Sequence, residues 1–257
     1  MLLDARDESF APTLRPAGPV VRAADRPESG FLVLADISGF TAFVTATEIE
    51  HGAETTGILL ADVIAALSPP LEIQELEGDA VFALGPDRAA SPDAEIIEAF
   101  GRALVAFKKR QVELSLDESC RCRACTGVLA LSLKLIVHHG SFMRQSVAGR
   151  SRVAGPDVIL AHRLLKNDVE PATYVLFTGT AVQRFGIDPA ANGMQPYTGA
   201  YAHFGEVDGF IVALDRGARG EVAGEGQLLL GLRALLGDLA LGADPGPHHD
   251  LRPVVAA

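Results

Sequence analysis

The chain has 257 residues, of which 48% are apolar, and its formal net charge at pH 7 is −11. This length and composition predict one large domain with a sizeable core, and the acidic balance argues against a general nucleic-acid-binding surface. No stretch approaches ~20 uninterrupted apolar residues and the charged N-terminus lacks a signal-peptide pattern, so we expect a cytoplasmic protein without a membrane span.

The first third of the chain predicts an arm, a strand and a helical stretch. Residues 1–29 carry four prolines among charged residues, which favours a flexible N-terminal arm. Residues 31–37 form an apolar run typical of a buried strand. A helix follows from about residue 39 to 67, loosened near Gly52 and Gly57, until two prolines end it.

Two strands and a long helix are predicted next. Residues 71–77 and 80–84 indicate strands that turn at Gly78-Asp79. The sequence Ser91-Pro92-Asp93 is typical of a helix start, because serine caps and proline is tolerated in the first turn. The basic residues at 108–110 are then expected in the last turn of this helix, where the helix dipole favours cations. This interpretation is favoured over a binding patch.

The second half of the chain completes the predicted fold. Strands are expected at 129–137, 147–153, 174–177 and 210–214, with the second pairing to the first through a turn near Ser141. Helices are expected at 156–166 and 227–241, and the leucines of the latter favour a packing or dimer surface over a membrane segment. This order predicts an α+β fold, with a mostly antiparallel sheet and helices on one face.

Two aspartates stand where apolar runs end. Asp36 follows Phe31-Leu-Val-Leu-Ala35, and Asp79 precedes Ala80-Val-Phe-Ala83. Ligand sites of α/β folds lie at strand ends, and carboxylates are hard oxygen ligands for a Mg²⁺ or Mn²⁺ ion that also holds a phosphate. Taken singly, Asp36 also suits a helix cap and Asp79 a hairpin turn. Taken together, they indicate a metal-competent pair.

Four motifs, in order over residues 30 to 215, resemble the class III nucleotidyl cyclase catalytic domain. Residues 36–41 (DISGFT) and 77–83 (EGDAVFA) resemble its two metal-site motifs. His138-His-Gly140 resembles its mid-domain strand, and residues 155–163 (GPDVILAHR) resemble its Gly-x-x-Val-Asn-x-Ala-x-Arg helix. Residues 155–167 also resemble a bacterial cyclase-like subgroup of unassigned function, the DUF2652 type.

The resemblance implies a fold and a division of the chain. Residues 30–217 would form the cyclase-like domain, with a ferredoxin-like, mostly antiparallel sheet. Residues 1–29 would be the arm, and residues 218–257 the C-terminal helix and tail. A homodimer is implied, because in the resembled family one site is built from two chains.

The resemblance also assigns roles to residues of the first two motifs. Asp36, Asp79 and the main chain of Ile37 would hold two Mg²⁺ or Mn²⁺ ions. Those ions would lower the charge barrier while a ribose hydroxyl attacks the α-phosphorus of a nucleoside triphosphate. The main chain of residues 39–41, namely Gly39, Phe40 and Thr41, would meet the phosphates at a helix N-terminus, where N–H groups favour anions.

The later motifs match the family in part. Arg163 matches the arginine that stabilises charge on the phosphate, whereas Ile159 stands where the family has asparagine. Loss of one such donor typically costs on the order of a hundredfold or more in rate. Glu75 matches the position that reads the purine edge, where a carboxylate suits guanine, and Arg152 holds the partner position. Glu75 also suits a solvent-facing strand.

Three cysteines lie within six residues, at Cys120, Cys122 and Cys125. Thiolates this close can share one zinc ion, with His138, His139 or another chain as the fourth ligand. The alternative is three reduced thiols in a loop. A structural disulfide is not expected, since bridging Cys120 to Cys122 would strain the linkage.

Two functions from different classes follow. The first is a homodimeric, divergent nucleotidyl cyclase that converts a nucleoside triphosphate to a cyclic nucleotide and diphosphate; the intact aspartates favour it. The second is a non-catalytic module that binds nucleotide, metal or a partner protein; Ile159 and Arg152 favour it. A pure scaffold dimer is a third reading, against which the paired aspartates argue.

Overall fold

The structure is a computed structural model, and it describes residues 21–23, 26–47, 49–87, 93–116, 122–169 and 173–213. Within these ranges, one 3₁₀ turn spans Val128–Ala130. The strands are β1 (Val21–Ala23), β2 (Glu28–Ser38), β3 (Glu72–Glu77), β4 (Ala80–Pro86), β5 (Ser132–Val147), β6 (Arg150–Ala154), β7 (Tyr174–Thr178), β8 (Gln195–Tyr201) and β9 (Gly205–Ala213). The helices are α1 (Phe40–Ala46), α2 (Ile49–Leu67), α3 (Asp93–Leu116), α4 (Arg123–Gly127), α5 (Pro156–Leu164) and α6 (Gly179–Phe185).

The described strands form one mixed sheet. Its order is β3-β4-β2-β5-β7-β9-β8, and β1 and β6 pair with the far end of the long strand β5. The β5–β7 pair is parallel, while the other pairs are antiparallel. The predicted α+β fold with a mostly antiparallel sheet is therefore confirmed.

Apolar side chains bury both faces of the sheet. Along β2, Phe31, Val33, Ala35 and Ile37 enter the core beneath α1, α2, α3, α4 and α6. Leu32 and Leu34 point to the other face, because side chains alternate along a strand. There α5 covers them with Val158, Leu160, Ala161 and Leu164. The prediction that the helices lie on one face is therefore wrong for α5.

Three predicted boundaries are wrong for local reasons. The helical stretch breaks at Thr47, where the backbone turns to an extended conformation, and not at Gly52 or Gly57. A Cβ on Gly52 would lie 2.6 Å from Thr47 Oγ1, so glycine lets the turn pack against α2. Helix α3 runs to Leu116, so the bases at 108–110 lie inside it. Arg110 there pairs with Asp62 at 2.6 Å.

The third boundary concerns β5. This strand continues past Ser141 to Val147 and turns into β6 at Ala148-Gly149, where both residues have positive φ (51° and 79°). The part of the predicted arm at Val21–Ala23 pairs with β5, and β2 already begins at Glu28. The rest of the arm up to residue 20 and the predicted helix at 227–241 lie outside the described residues. None of the described helices is long and apolar enough to cross a membrane.

Candidate functional site

The structure brings Asp36 and Asp79 to one corner of the sheet. Asp36 lies near the end of β2, where it faces Ala80 of β4 on one side and Lys134 of β5 on the other. Asp79 immediately precedes Ala80 in the turn between β3 and β4. The main-chain N–H of Ile37 donates to the Asp79 carbonyl oxygen at 3.2 Å. The two predicted metal ligands therefore belong to neighbouring, hydrogen-bonded backbone segments.

The two carboxylates interact electrostatically. Burial raises the pKa of Asp79 above its ordinary value, and the negative charge of Asp36 raises it further. A hydrogen bond with its own main chain and the positive charge of Lys134 act in the opposite direction. Burial and a second carboxylate therefore both disfavour the ionised form of Asp79 in the metal-free protein.

Lys134 is the residue of the site that sequence reasoning missed. Its Nζ donates to Asp36 Oδ2 at 3.0 Å and to the Leu165 carbonyl oxygen at 3.1 Å. Only 17% of each charged side chain is exposed. A signal was available, since a lysine within an apolar strand must find an anionic or carbonyl partner.

The segment predicted to contact the phosphates, residues 39–41, directly follows β2 in the chain. Gly39 has left-handed backbone angles (φ 87°, ψ −2°) at the start of α1, where a side chain would be strained. No side chain caps the N–H groups at this helix end. Phe40 packs partly against the core, while Gly39 and Thr41 are exposed. Their nucleotide-binding role stays a prediction.

Helix α5 presents Ile159 and Arg163 on the same sheet face as Lys134. Ile159 is 53% exposed. The guanidinium of Arg163 lies 5.9 Å from the centre of the Phe204 ring, a cation–π contact. Within the described ranges, Arg163 makes no ion pair with Asp36 or Asp79. The catalytic role of Arg163 stays a prediction.

Two histidines fasten α5 to the sheet. His162 Nε2 lies 3.0 Å from Glu77 Oε1, and its ring packs edge-on against Phe82, which ties the helix to the hairpin that carries Asp79. The buried His138 lies 3.4 Å from Asp157 Oδ1 at the start of α5 and 3.0 Å from Thr178 Oγ1. Burial lowers the pKa of His138, although Asp157 opposes this shift.

The two residues assigned to base selection are not paired. Glu75 is exposed on β3, after an irregularity in its pairing with β4. Arg152 is exposed on β6, which pairs with the far end of β5. Both are described, and they form no ion pair with each other. The base-reading role of Glu75 stays a prediction.

A polar cavity of about 520 Å³ lies between the segment after α5 and strand β8. Asn167, which lines it, accepts a hydrogen bond from the Tyr174 hydroxyl at 2.8 Å. Burial raises the pKa of Tyr174 to about 12, and the charge of Asp36 contributes to this shift. The other side chains that line the cavity include Lys166, Gln195, Tyr197, Thr198 and Tyr201.

The cysteine cluster is described in part. Cys120 and the side chain of Cys125 lie outside the described residues, whereas Cys122 Sγ lies 3.2 Å from His51 Nδ1. Of the two histidines considered as a fourth zinc ligand, His138 contacts Thr178 and Asp157 and His139 contacts Asp87, and the zinc site stays a prediction. Among the described residues, no group of three or more His, Cys, Asp or Glu side chains is placed to hold a metal ion.

Comparison with known proteins identifies relatives and the fold. Residues 57–174 match the family model described as protein of unknown function (DUF2652). An uncharacterized protein of Mycobacterium tuberculosis is 32% identical over 125 residues, which are 49% of this chain and 58% of that relative. The match thus spans little more than half of the relative's length.

Solved structures of class III cyclases share the fold. The guanylyl cyclase Cya2 is 14% identical with a TM-score of 0.58, over 79% of this chain and 98% of that one. The adenylyl cyclase CyaB from P. aeruginosa is 14% identical with a TM-score of 0.53, over 74% of this chain and 97% of that one. A class III adenylyl cyclase-like ATP-binding protein from Pseudomonas aeruginosa is 15% identical with a TM-score of 0.53, over 80% of this chain and 40% of that one. Residues 57–174 are thus similar to the DUF2652 family, and the described part of the chain has the fold of the class III nucleotidyl cyclase catalytic domains.

Proposed function

We propose that this protein is a divergent, homodimeric nucleotidyl cyclase. It would bind a nucleoside triphosphate together with Mg²⁺ or Mn²⁺ at Asp36 and Asp79, and would convert it slowly to a cyclic nucleotide and diphosphate. The observation that carries the proposal is the hydrogen bond from the Ile37 N–H, next to Asp36, to the Asp79 carbonyl oxygen at 3.2 Å, which holds the two carboxylate-bearing segments together. The fold supports it without deciding activity, because function depends on the site.

The residues of this corner fit a divalent metal ion. Asp36 and Asp79 offer carboxylate oxygens, and Mg²⁺ typically takes one or two carboxylates and completes its shell with water and substrate phosphates. Burial and the neighbouring Asp36 charge both disfavour the ionised form of Asp79 and raise its pKa, and a divalent ion would relieve this penalty. Bound at this corner, the metal would neutralise phosphate charge and orient the reacting oxygens.

Lys134 adds a fixed positive charge to the corner. Its ammonium pairs with Asp36 at 3.0 Å and is itself anchored to the Leu165 carbonyl. A triphosphate that approaches Asp36 must therefore also approach Lys134, which can donate to phosphate oxygens as a compact point charge. We assign to Lys134 a part in binding the polyphosphate.

Arg163 and Ile159 determine how fast such a site would turn over. In a dimer, an arginine from one chain would stabilise the developing charge on phosphate held by the other chain. Ile159 supplies no hydrogen-bond donor beside it. The proposed reaction is therefore slow, since a missing donor typically costs on the order of a hundredfold.

A specific observation favours the second function, a nucleotide-binding module without turnover. Lys134 already compensates Asp36, and this reduces the need for two metal ions at the same carboxylate. One protein of the same fold is known as an ATP-binding, cyclase-like protein. In this reading Asp36, Asp79 and Lys134 hold the nucleotide, and α5 takes no part in chemistry.

Product analysis separates the two functions. Purified protein would be incubated with each of the four nucleoside triphosphates and Mn²⁺, and cyclic products measured by mass spectrometry. The cyclase proposal predicts one cyclic nucleotide, lost in Asp36→Asn and in Asp79→Asn. Nucleotide binding without any cyclic product would contradict the cyclase and support the module. The absence of both would contradict both functions.

A further inference from the structure

The polar cavity of about 520 Å³ lies on the sheet face that α5 covers, and it takes no part in the functions proposed above. Two segments line it, namely residues 166–169, which follow α5, and strand β8. Its volume falls among those of ordinary small-molecule sites, about 300–1,000 Å³. We propose that this cavity holds the base of the nucleotide whose phosphates bind at Asp36, Asp79 and Lys134. The inference rests on the nucleotide binding proposed above and adds the residues that hold the base.

The register of the sheet connects the cavity to the two aspartates. Asp36, Lys134 and Tyr174 stand opposite one another on β2, β5 and β7. Neighbouring strands lie about 4.8 Å apart, so the backbones at Asp36 and Tyr174 are about 10 Å apart. The Tyr174 hydroxyl donates to Asn167 Oδ1 at 2.8 Å, and Asn167 lines the cavity. A nucleotide with its phosphates at Asp36 would therefore extend across Lys134 toward the cavity.

Lys134 links the two parts of the proposed site. Its Nζ donates to Asp36 Oδ2 at 3.0 Å and to the Leu165 carbonyl oxygen at 3.1 Å. Leu165 directly precedes Lys166, where the cavity lining begins. The charge of Asp36 also contributes to the raised pKa of Tyr174, which lies behind the cavity. The cation that would hold the phosphates and the wall that would hold the base are thus joined by one side chain.

Two tyrosine rings of β8 form an aromatic wall of the cavity. Tyr197 and Tyr201 are half-buried, and both line the cavity. Gly199 lies between them on the same face of the strand, where a Cβ would collide with the Tyr197 hydroxyl and would lie 2.9 Å from the Tyr201 ring. The two rings therefore close over backbone that carries no side chain. Aromatic side chains are the surfaces on which nucleobases stack, whichever base is present.

Polar groups beside these rings have hydrogen-bonding capacity to spare. The hydroxyls of Tyr197 and Tyr201 contact each other, so one donates and the accepting hydroxyl keeps its own proton for a further acceptor. Lys166 and Gln195 are exposed at the cavity, and within the described ranges their side chains form no hydrogen bond or ion pair. The Gln195 amide offers a donor and an acceptor side by side, the combination that reads an adenine edge. The cavity thus provides both stacking and polar contacts for a base.

Tyrosine fluorescence reports on this part of the molecule alone. The chain contains no tryptophan and three tyrosines, which are Tyr174, Tyr197 and Tyr201. A base stacked in the cavity should quench their emission during titration with Mn²⁺ and a nonhydrolysable nucleoside triphosphate. Inorganic tripolyphosphate with Mn²⁺ carries the charges without a base, so it should bind and leave the emission unchanged. N-acetyltyrosinamide, titrated in parallel, corrects for light absorbed by the base.

Two substitutions should separate base binding from phosphate binding in calorimetric titrations. Tyr197→Leu removes the ring and should weaken nucleotide binding by roughly tenfold or more, while tripolyphosphate binding changes by less than about twofold. Gln195→Ala should weaken nucleotide binding by about three- to tenfold, and its exposed position protects the test against a variant that fails to fold. Gln183→Ala is the matched control, exposed on α6 over the opposite sheet face, and it should bind both ligands as the wild type does.

The outcomes separate this inference from the function on which it rests. Nucleotide that binds without quenching, and with unchanged affinity in Tyr197→Leu and Gln195→Ala, would overturn the base site and leave the proposed function standing. Tripolyphosphate that binds as tightly as every nucleotide would do the same. Weaker nucleotide binding in Glu75→Gln alone would assign base reading to Glu75 and overturn the inference. A wild type that binds neither nucleotide nor tripolyphosphate would overturn both the inference and the proposed function.

Discussion

Lys134 balances the charge of one of the two aspartates more directly than that of the other. Asp36 has a cation at 3.0 Å, whereas Asp79 has a raised pKa. The carboxylates sit on backbone segments joined by a hydrogen bond, so they cannot move apart without disturbing the β2–β4 pairing. The metal-free protein therefore bears the electrostatic repulsion between the two carboxylates, which lowers its free energy of unfolding.

Asp79→Asn should stabilise the metal-free protein at neutral pH. A group whose pKa is raised on folding binds more protons in the folded state, so stability falls as pH rises from its ordinary value of 3.8 through the raised value. Above that window the penalty is fully present, and a neutral side chain removes it. Chemical denaturation with chelator at pH 7 is the measurement, with exposed Glu206→Gln as control. A lower unfolding free energy for Asp79→Asn would contradict the electrostatic account.

Lys134→Met should destabilise the protein. The substitution keeps the apolar length of the side chain but leaves Asp36, 17% exposed, without its cation. Removal of one partner of a buried pair costs on the order of 3 kcal/mol. The double variant Lys134→Met/Asp36→Asn should recover part of the loss, because it no longer buries a charge. Urea unfolding measures all three proteins, and a cost below ~0.5 kcal/mol for Lys134→Met would contradict a structural ion pair.

At the scale of elements, α5 depends on a buried histidine. His138 contacts Asp157 at the start of the helix and Thr178 at the end of β7. Asp157 in turn accepts the Ser141 main-chain N–H at 2.7 Å. Burial alone would raise the pKa of Asp157, but hydrogen bonds from Ser141 and His138 outweigh burial and lower the pKa. The N-terminus of α5 is thus fixed to β5 and β7 through polar side chains.

Stability should fall as pH drops below about 6.5, with His138 as a cause. Its lowered pKa means that the unfolded chain takes a proton first, so acidification favours unfolding from the ordinary value of 6.5 down to the lowered one. Asp157 adds a second loss only below its ordinary value of 3.8. Denaturation midpoints from pH 7.5 to 5 should fall less in His138→Gln than in the wild type. Identical slopes would contradict this role for His138.

Sequence periodicity predicted most of the elements that bury apolar residues, but it missed the short helix α6 and the edge strand β8. Three predicted features are present in the structure because their side chains form the core: the strand at 31–37, the helix end near Leu67 and the strand at 174–177. Strand β8 was missed because it lies at the sheet edge and its residues alternate between exposed and half-buried. Lys134 belongs to no motif and its ion pair with Asp36 joins distant strands, and the His51–Cys122 contact joins residues 71 positions apart.

At the scale of the whole molecule, the question is whether α5 meets a second chain. Ile159 is 53% exposed, and Arg163 contacts Phe204 rather than either aspartate. Ile159→Asn would restore a donor beside Arg163 and should raise the rate of cyclic product formation on the order of a hundredfold. Arg163→Ala should abolish the product. Both are measured by mass spectrometry with Mn²⁺.

Leu76→Asn is the matched control for the helix substitution. Leu76 is 55% exposed, and it shares its sheet face with Val81, away from α5. The control should leave the rate unchanged, which would separate a donor effect from a change in surface polarity. If Arg163→Ala equals the wild type and Ile159→Asn gives no gain, α5 takes no part in catalysis, and the non-catalytic module is the surviving function.

The central claim is that Asp36 and Asp79 together bind a metal ion with a nucleotide, whichever function follows. Isothermal titration calorimetry with Mn²⁺ and a nonhydrolysable nucleoside triphosphate tests it most directly, on the wild type, Asp36→Ala and Asp79→Ala. We expect heat of binding for the wild type that requires both metal and nucleotide, and its loss in each variant while circular dichroism shows an intact fold. Unchanged heat in Asp36→Ala, or none in the wild type with any of the four bases, would contradict the claim.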